Sequence, residues 1–440
     1  MFDILLVASL LLWTIPLSTL YRFLNPFQKH VYSFFVSNIL VWLCFGYDTV
    51  IHTFVLSTSV WLVLRYMAPL DSQKKVLVVW GICLTYLSAV QFYTMWYNWL
   101  SWNITGTSVL MVLVIKLTTF TWNYYDGCHP KYIAPDQVTK IPLLLQWYGW
   151  IYFLPGFITA PVMTYKEYET FVDTDSKFNF GKRVSNDERL AYFIVLFTFA
   201  SIFLFGNLKF PLEYLLEDGF KNYSMLYRLI YFYFAFFCVR CRYYFSWVLG
   251  EFAFKESGAS NYTSHKGRNI NVQDIEFGQN PRQILSNWNI STNVWLKECV
   301  YMRAENYEFN IIICIFMTNI VSALWHGFYP GYYLTFLIGG ISTYIHRIFR
   351  RHVSSRFAGG ILYSILSTLC TLAIMNTAGL PFVVYTIPNS IIAWNNTYWI
   401  GFILLACGLV VGHFFKWLDG LDEDSLDSHP FGKYLRVYFQ

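Results

Sequence analysis

The chain has 440 residues, and its composition is that of a protein surrounded by lipid. Hydrophobic residues make up 56% of the chain and charged residues only 13%. Roughly a quarter of the residues in a soluble domain are charged, so this chain could not cover its surface with polar groups. The net charge of +5 is small for this length, and no basic stripe or Arg-rich arm is present, which argues against a nucleic-acid partner.

Apolar runs follow one another along nearly the whole chain. A helix that crosses a bilayer needs about 20 predominantly apolar residues. The first run has no basic residues before it and no small-residue cleavage site after it, so a first membrane helix is favoured over a signal peptide. The candidate spans are residues 3–20, 31–45, 50–67, 76–97, 104–122, 142–163, 190–208, 225–249, 308–328, 331–349, 357–378 and 391–416. They predict an all-α, polytopic membrane protein with about ten to twelve transmembrane helices.

One candidate span is interrupted. Residues 142–163 contain Pro142, Pro155 and Pro161 together with two glycines. Each proline removes a backbone donor and disfavours a continuous helix. We therefore expect this segment to bend, or to enter the membrane without crossing it.

Polar segments are few. Residues 164–189 carry both signs of charge and predict an interfacial loop, and residues 251–307 form the longest polar loop, where functional residues tend to occur. The tail 419–440 is acidic, then basic, and is expected outside the membrane. With no internal repeat, residues 1–440 are expected to form a single membrane domain. Lys and Arg counting leaves the orientation open.

Nothing in the sequence predicts a metal site or a disulfide framework. The nine cysteines are scattered, mostly within apolar runs. Cys238 and Cys241 form a C-x-x-C pair, but no second pair and no histidine at zinc spacing accompanies them. We expect these cysteines to pack as small hydrophobic side chains.

His326 is the first candidate catalytic residue. It ends a long apolar run, where an ionisable side chain is costly and by default suggests function. Neutral imidazole can accept a proton near physiological pH, which suits a general base. Gly327, Pro330 and Gly331 then break the helix and leave room beside the ring. The alternative is a core histidine bonded to a neighbouring helix.

Asn289 is the second candidate. It follows Trp288 within the long polar loop and precedes an amphipathic stretch. An amide does not titrate, but it can orient a substrate or donate to developing charge on a carbonyl oxygen. Asn289 also begins an N-x-S sequon, so glycan attachment is the competing interpretation.

These two segments carry a resemblance to a known family. Residues 325–336 reproduce the complete W-H-G-x-x-x-G-Y-x-x-x-F motif of the lysophospholipid acyltransferase branch of the membrane-bound O-acyltransferase family, and Trp288-Asn289 matches the family's asparagine site. The chain looks most similar to the fungal, broad-specificity members. The sequences at 116–127, 152–168 and 240–251 also resemble segments of that branch. Ala160 stands where the family has glycine.

The resemblance implies that His326 and Asn289 are catalytic. It also suggests substrate contact for Trp288, Trp325, Gly331, Tyr332, Asp126, Lys116, Arg240 and Tyr244. The cations of this set, and Arg242 beside them, could instead pair inside the protein or reach the interface, and Asp126 could cap a helix or orient a partner.

The implied function is transfer of an acyl group from acyl-CoA to a lysophospholipid hydroxyl, in an internal chamber of an endoplasmic reticulum protein with no tightly bound cofactor. Three alternatives stay open. The acceptor could be a sterol, a diacylglycerol or a protein; the chain could be a transporter or channel; or it could be a silent scaffold. Head-group choice, acyl-chain preference and oligomeric state are not predicted.

Overall fold

The structure is a computed structural model, and the regular secondary structure of the residues it describes is entirely helical. The described residues are 7, 9–67, 71–100, 106–129, 136–158, 161–174, 183–354 and 360–422. The all-α prediction is confirmed for these residues. Some predicted features lie outside the described residues. They are Ala160, residues 3–6 and 8 of the first predicted span, and residues 423–440 of the tail.

The helices are numbered in chain order. Those of the first part are α1 (Thr14–Thr19), α2 (Pro26–Phe45), α3 (Tyr47–Tyr66), α4 (Ser72–Tyr97), α5 (Thr107–Cys128), α6 (Leu144–Ile151), α7 (Tyr165–Thr174), α8 (Asn186–Lys209) and α9 (Met225–Ser257). Those of the second part are α10 (Val272–Glu276), α11 (Pro281–Asn287), α12 (Ile290–Leu296), α13 (Met302–Asn306), α14 (Ile311–His326), α15 (Pro330–Phe349), α16 (Ile361–Val384), α17 (Ile387–Asn396) and α18 (Ile400–Asp422). Tighter turns lie at Leu20–Phe23, Leu154–Gly156, Leu212–Leu216, Asp218–Asn222 and Ala259–Tyr262, and π-helical turns at Lys297–Tyr301 and Arg350–Ser354.

Five helical segments of the described chain are long and apolar enough to cross a membrane. They are Tyr47–Tyr66, Ser72–Tyr97, Asn186–Leu216, Ile361–Val384 and Ile400–Trp417. Helix α14 is equally apolar in character but has only 16 residues. These segments make the chain an integral membrane protein, whereas the expected number of ten to twelve spans is not confirmed.

Several other helices reach 20 residues but are more polar. Helices α2, α5, α9 and α15 are long enough for a hydrocarbon core of about 30 Å, yet they are less apolar than the five segments above. Some of their polar residues are buried inside the protein: on α5, Lys116, Thr118 and Thr121 are fully buried. Hydropathy alone therefore does not identify helices whose polar groups are paired inside the protein.

Residues 142–163 do not form a crossing helix, as predicted. Helix α6 has eight residues and is only about 12 Å long, after which the chain turns through Leu154–Gly156. Trp147, Trp150 and Phe153 are fully buried, so this segment lies in the core rather than at its surface. It packs against α2.

The polar segment 251–307 is largely helical, although the sequence predicted a loop. Helix α9 continues to Ser257, and the four short helices α10 to α13 follow. The side chains of Asn271 and Asn280 cap α10 and α11 by accepting from backbone N–H groups of their first turns. Helices of five to seven residues are too short to produce a clear periodicity in the sequence.

Candidate functional site

His326 is the last residue of α14. The helix stops there because Gly327 adopts φ 126° and ψ −157°, which residues with a side chain rarely adopt. The Gly327 N–H still donates to the Ala323 carbonyl, and Pro330 begins α15. The prediction that glycine and proline end the helix directly after the histidine is confirmed. The imidazole therefore lies at the junction of two helices.

The imidazole of His326 lies among aromatic rings. Phe336 stacks on it with centroids 5.3 Å apart and an interplanar angle of 21°, and Phe382 meets it edge-on at 4.8 Å. The ring of Trp325 lies 4.6 Å away and that of Tyr332 5.8 Å away. The side chain of His326 is half-buried and has no hydrogen bond to any described residue. The predicted alternative, a core histidine bonded to a neighbouring helix, is not what the described residues form.

Asn289 directly precedes α12 and has a left-handed backbone, with φ 48° and ψ 59°. Its Oδ1 accepts a hydrogen bond from Nδ2 of Asn269 at 3.1 Å. Asn269 is fully buried, and it also accepts from the backbone N–H groups of Ile290 and Ser291. These contacts fix the amide of Asn289 by its oxygen. Its Nδ2 donates to no described residue, which leaves a donor for a bound group.

Asn269 was not among the residues predicted from the sequence. It lies in the polar segment 251–307 without a motif or a periodic pattern around it. Its role becomes visible only because the chain folds back, so that the backbone at 269–271 bonds to the backbone at 287–290. No feature of the sequence alone identifies Asn269 as a partner of Asn289.

His326 and Asn289 are joined indirectly. Neither hydrogen bonds nor ring contacts link their side chains within the described residues. The helix that follows Asn289 instead places Trp295 against Trp325, with ring centroids 5.8 Å apart. Both indoles donate to α5: Trp295 to Thr118 Oγ1, and Trp325 to a backbone carbonyl, each at 2.9 Å. One central helix thus positions the elements that carry both candidates.

A second set of contacts links the two residues on another side. The ring of Trp288 lies 5.4 Å from that of Tyr243 on α9. The neighbouring Arg242 donates to the Tyr243 hydroxyl at 2.9 Å, and it is close enough to Tyr332 and Tyr385 to interact with them electrostatically. Those tyrosines belong to the aromatic cluster around His326. A chain of contacts through indoles, phenols and one guanidinium therefore connects the segments that carry the two candidates.

Lys116 has an internal structural role in this fold. Its Nζ is fully buried and donates to the carbonyl oxygens of Trp150 and Ile151 at 3.1 Å and 3.0 Å. These carbonyls belong to the end of the short helix α6, where backbone acceptors lack intrahelical partners and a cation is favoured. Of the three interpretations that the sequence allowed, the structure supports internal pairing.

Asp126 is also paired. It is 2% exposed and accepts two hydrogen bonds from Arg303, both at 2.7 Å. The guanidinium of Arg303 lies 4.3 Å from the ring of Trp122 as well. This bidentate contact ties the end of α5 to α13. It agrees with the expectation that Asp126 orients a partner, here a side chain of the protein.

Arg240 and Tyr244 share one buried carboxylate. Arg240 donates to both carboxylate oxygens of Glu276, at 2.8 Å and 2.7 Å, and to Oδ1 of Asn376 at 2.7 Å. The hydroxyl of Tyr244 donates to the same Glu276. Glu276, which sequence reasoning missed, is 8% exposed and lies in the polar segment, 36 residues from Arg240. These contacts support internal pairing rather than substrate contact.

Gly331 allows two helices to approach closely. A Cβ atom on this residue would lie 1.9 Å from the carbonyl oxygen of Pro381 on α16, and the Gly331 N–H donates to the carbonyl of Tyr385 at 2.9 Å. Tyr385 itself has a positive φ of 65°, an unusual conformation for an aromatic residue. The geometry gives Gly331 a packing role beside the imidazole cluster.

The fold and these residues define a polytopic membrane protein with a half-buried histidine and a half-buried asparagine as its candidate catalytic side chains. The model of the MBOAT, or membrane-bound O-acyltransferase, family matches residues 61–367, which include both candidates. The chain belongs to the membrane-bound O-acyltransferase family. The family resemblance expected from the motifs is thereby confirmed.

Three relatives illustrate the similarity. Lysophospholipid acyltransferase 6 of Drosophila melanogaster is 27% identical over 82% of this chain and 54% of the fly protein. Membrane-bound glycerophospholipid O-acyltransferase 2 of Gallus gallus is 27% identical over 85% and 77% of the two chains, and the lysophospholipid acyltransferase of Saccharomyces cerevisiae is 28% identical over 68% and 56%. The chain thus spans about half the length of the fly and yeast proteins.

Proposed function

We propose that this protein transfers an acyl group from acyl-CoA to the free hydroxyl of a lysophospholipid, producing a diacyl phospholipid and CoA. The observation that carries the proposal is the imidazole of His326, which lies at a helix break, in an aromatic cluster and without a protein partner among the described residues. The names of the relatives support the choice of acceptor.

In this mechanism His326 is the general base. Its unprotonated ring nitrogen accepts the proton of the lipid hydroxyl while the hydroxyl oxygen attacks the thioester carbonyl carbon. The C–S bond then breaks, and the departing thiolate of CoA receives the proton from the imidazolium. No acyl-enzyme is formed, and the proton that leaves the alcohol ends on the thiol.

Asn289 would stabilise the transition state at the attacked carbonyl. Its Oδ1 is already fixed by Asn269, so its Nδ2 is oriented and available to donate to the oxygen of the attacked carbonyl. Trp288, Trp325 and Tyr332 remain candidates for substrate contact because each lies next to one of the two proposed catalytic residues in the chain or in space. Rings of this kind suit acyl chains, and they limit the water that could hydrolyse the thioester.

The remaining assignments belong to the same proposal. We place the protein in the endoplasmic reticulum membrane, with acyl-CoA as co-substrate and no tightly bound cofactor, and we treat residues 1–440 as one membrane domain. Acceptors such as sterols, diacylglycerol or protein are the main alternative. The relatives' names speak against them, because each names a lysophospholipid or a glycerophospholipid.

An acceptor panel tests the proposal. Membranes that contain the expressed protein, and matched membranes without it, are incubated with one radiolabelled acyl-CoA and, in separate reactions, with lysophospholipids of several head groups, cholesterol and diacylglycerol. We expect labelled diacyl phospholipid that depends on both the protein and the lysophospholipid. Labelled sterol ester or triacylglycerol without labelled phospholipid would contradict the proposal.

A further inference from the structure

The contact between Gln91 and the end of α14 is the basis of the inference. Gln91 lies on α4 and is 8% exposed, and its Nε2 donates to the carbonyl oxygen of Trp325 at 2.7 Å. That carbonyl belongs to the last turn of α14, directly before His326, where backbone acceptors lack intrahelical donors. Gln91 therefore holds the peptide that carries the proposed base.

The other end of the same amide has no partner. Oε1 of Gln91 is buried and accepts no hydrogen bond from any described group. It lies beside the peptide that follows the histidine, since a Cβ atom on Gly327 would be 3.8 Å from it. Buried acceptors of this kind are rare in folded proteins, and each requires an explanation.

His326, for its part, lacks a hydrogen-bond acceptor for its ring N–H among the described residues. A neutral imidazole that accepts a proton at one nitrogen must carry its own proton at the other, and an acceptor for that N–H fixes the tautomer and the ring orientation. No described residue accepts a hydrogen bond from His326. Gln91 contacts the residue before the histidine and lies beside the residue after it. It is therefore a neighbouring amide whose acceptor, Oε1, is unused.

We propose that Gln91 is a positioning residue for His326, whose imidazole N–H donates to Gln91 Oε1 in the reacting complex. The inference rests on the proposed function and adds a residue to its mechanism. Nε2 keeps its bond to the Trp325 carbonyl while the imidazole turns toward Oε1. The bond holds the opposite nitrogen unprotonated and increases its basicity.

Other charged or titratable groups around the ring do not change state near neutrality. Tyr332 faces it from α15, and Tyr385, at the end of α16, lies behind Tyr332. Arg242 on α9 interacts with both tyrosines. Phenols titrate near pH 10 and guanidinium groups above pH 12, so between about pH 5 and 8 a difference between variants reports on the imidazole.

The test compares the Gln91→Met variant with the wild type in acyl transfer across this pH range. Methionine keeps the volume of the side chain but removes both amide contacts. We expect kcat to fall about tenfold or more with KM changed less than about twofold, and the acid limb of the kcat/KM profile to move to lower pH, because the base loses its acceptor. Gln73→Met is the matched control, on the same helix, exposed and about 27 Å away along the axis.

The Gln91→Glu variant provides an independent check, and it carries the test if the methionine variant does not fold. A neutral carboxyl group offers the same donor and acceptor as the amide, so at the acid end of this range the variant is expected to recover most of the rate that the wild type shows at the same pH. Unchanged kcat and pH profile in Gln91→Met, a change in KM alone, or a lower kcat with an unmoved acid limb would each overturn the proposal. Absence of transfer by the wild type would instead refute the proposed function.

Discussion

The close approach at Gly331 gives a prediction with a magnitude from the structure. A Cβ atom there would lie 1.9 Å from the Pro381 carbonyl oxygen, whereas real Cβ atoms essentially never come closer than 3.0 Å to such an atom. In Gly331→Ala, α15 and the end of α16 must therefore separate by about 1 Å. Overpacking of this kind costs about 1–3 kcal/mol of stability.

The displacement affects the imidazole cluster directly. Helix α15 carries Phe336, which stacks on His326, and α16 carries Phe382, which meets its edge. A misplacement of about 1 Å can reduce a rate by about a hundredfold. We expect Gly331→Ala to lower kcat by about ten- to a hundredfold in protein that still purifies as a folded species.

The assay is acyl transfer per mole of folded protein, with thermal unfolding measured on the same preparation. Gly339→Ala is the matched control, because Gly339 lies on the same helix and a Cβ atom there has no atom within 4 Å. The control should retain wild-type activity. Wild-type activity and stability in Gly331→Ala would refute the reasoning.

Two further predictions concern buried charges outside the reaction itself. In Arg303→Met the carboxylate of Asp126 loses a buried bidentate partner, so we expect about 3–5 kcal/mol of destabilisation in thermal or denaturant unfolding. The double variant with Asp126→Asn should recover much of this stability. Additive losses of stability in the double variant would contradict the pairing. In Lys116→Met the carbonyls at the end of α6 lose their donor, which should lower the stability of the fold by about 1–3 kcal/mol while KM for acyl-CoA stays unchanged. A raised KM in folded protein would instead favour contact between Lys116 and the phosphates of CoA.

The sequence predicted the parts of the site that depend on local chemistry. An ionisable residue at the end of an apolar run, followed by glycine and proline, is visible in the chain itself, and the structure places His326 at that break. The prolines of residues 142–163 likewise predicted an interrupted segment. In both cases the signal is carried by a few neighbouring residues whose backbone preferences are strong.

Partners that are distant in the chain could not be predicted in this way. Arg240 binds the carboxylate of Glu276, and Asp126 binds the guanidinium of Arg303, which lies 177 residues away. No regular spacing in the sequence predicts either pair. The expected number of ten to twelve spans is likewise not confirmed, because five described segments are apolar enough to be recognised by hydropathy. Polar helices such as α5 bury their polar groups against other helices, and hydropathy does not record that burial.

The central claim is that His326 takes the proton from the lipid hydroxyl. The most direct measurement is single-turnover acyl transfer by purified His326→Ala, with thermal unfolding and acyl-CoA binding measured on the same sample. Loss of a general base predicts a rate lower by about a hundredfold to ten-thousandfold, with binding and stability near those of the wild type. A wild-type rate in the folded variant would contradict the account.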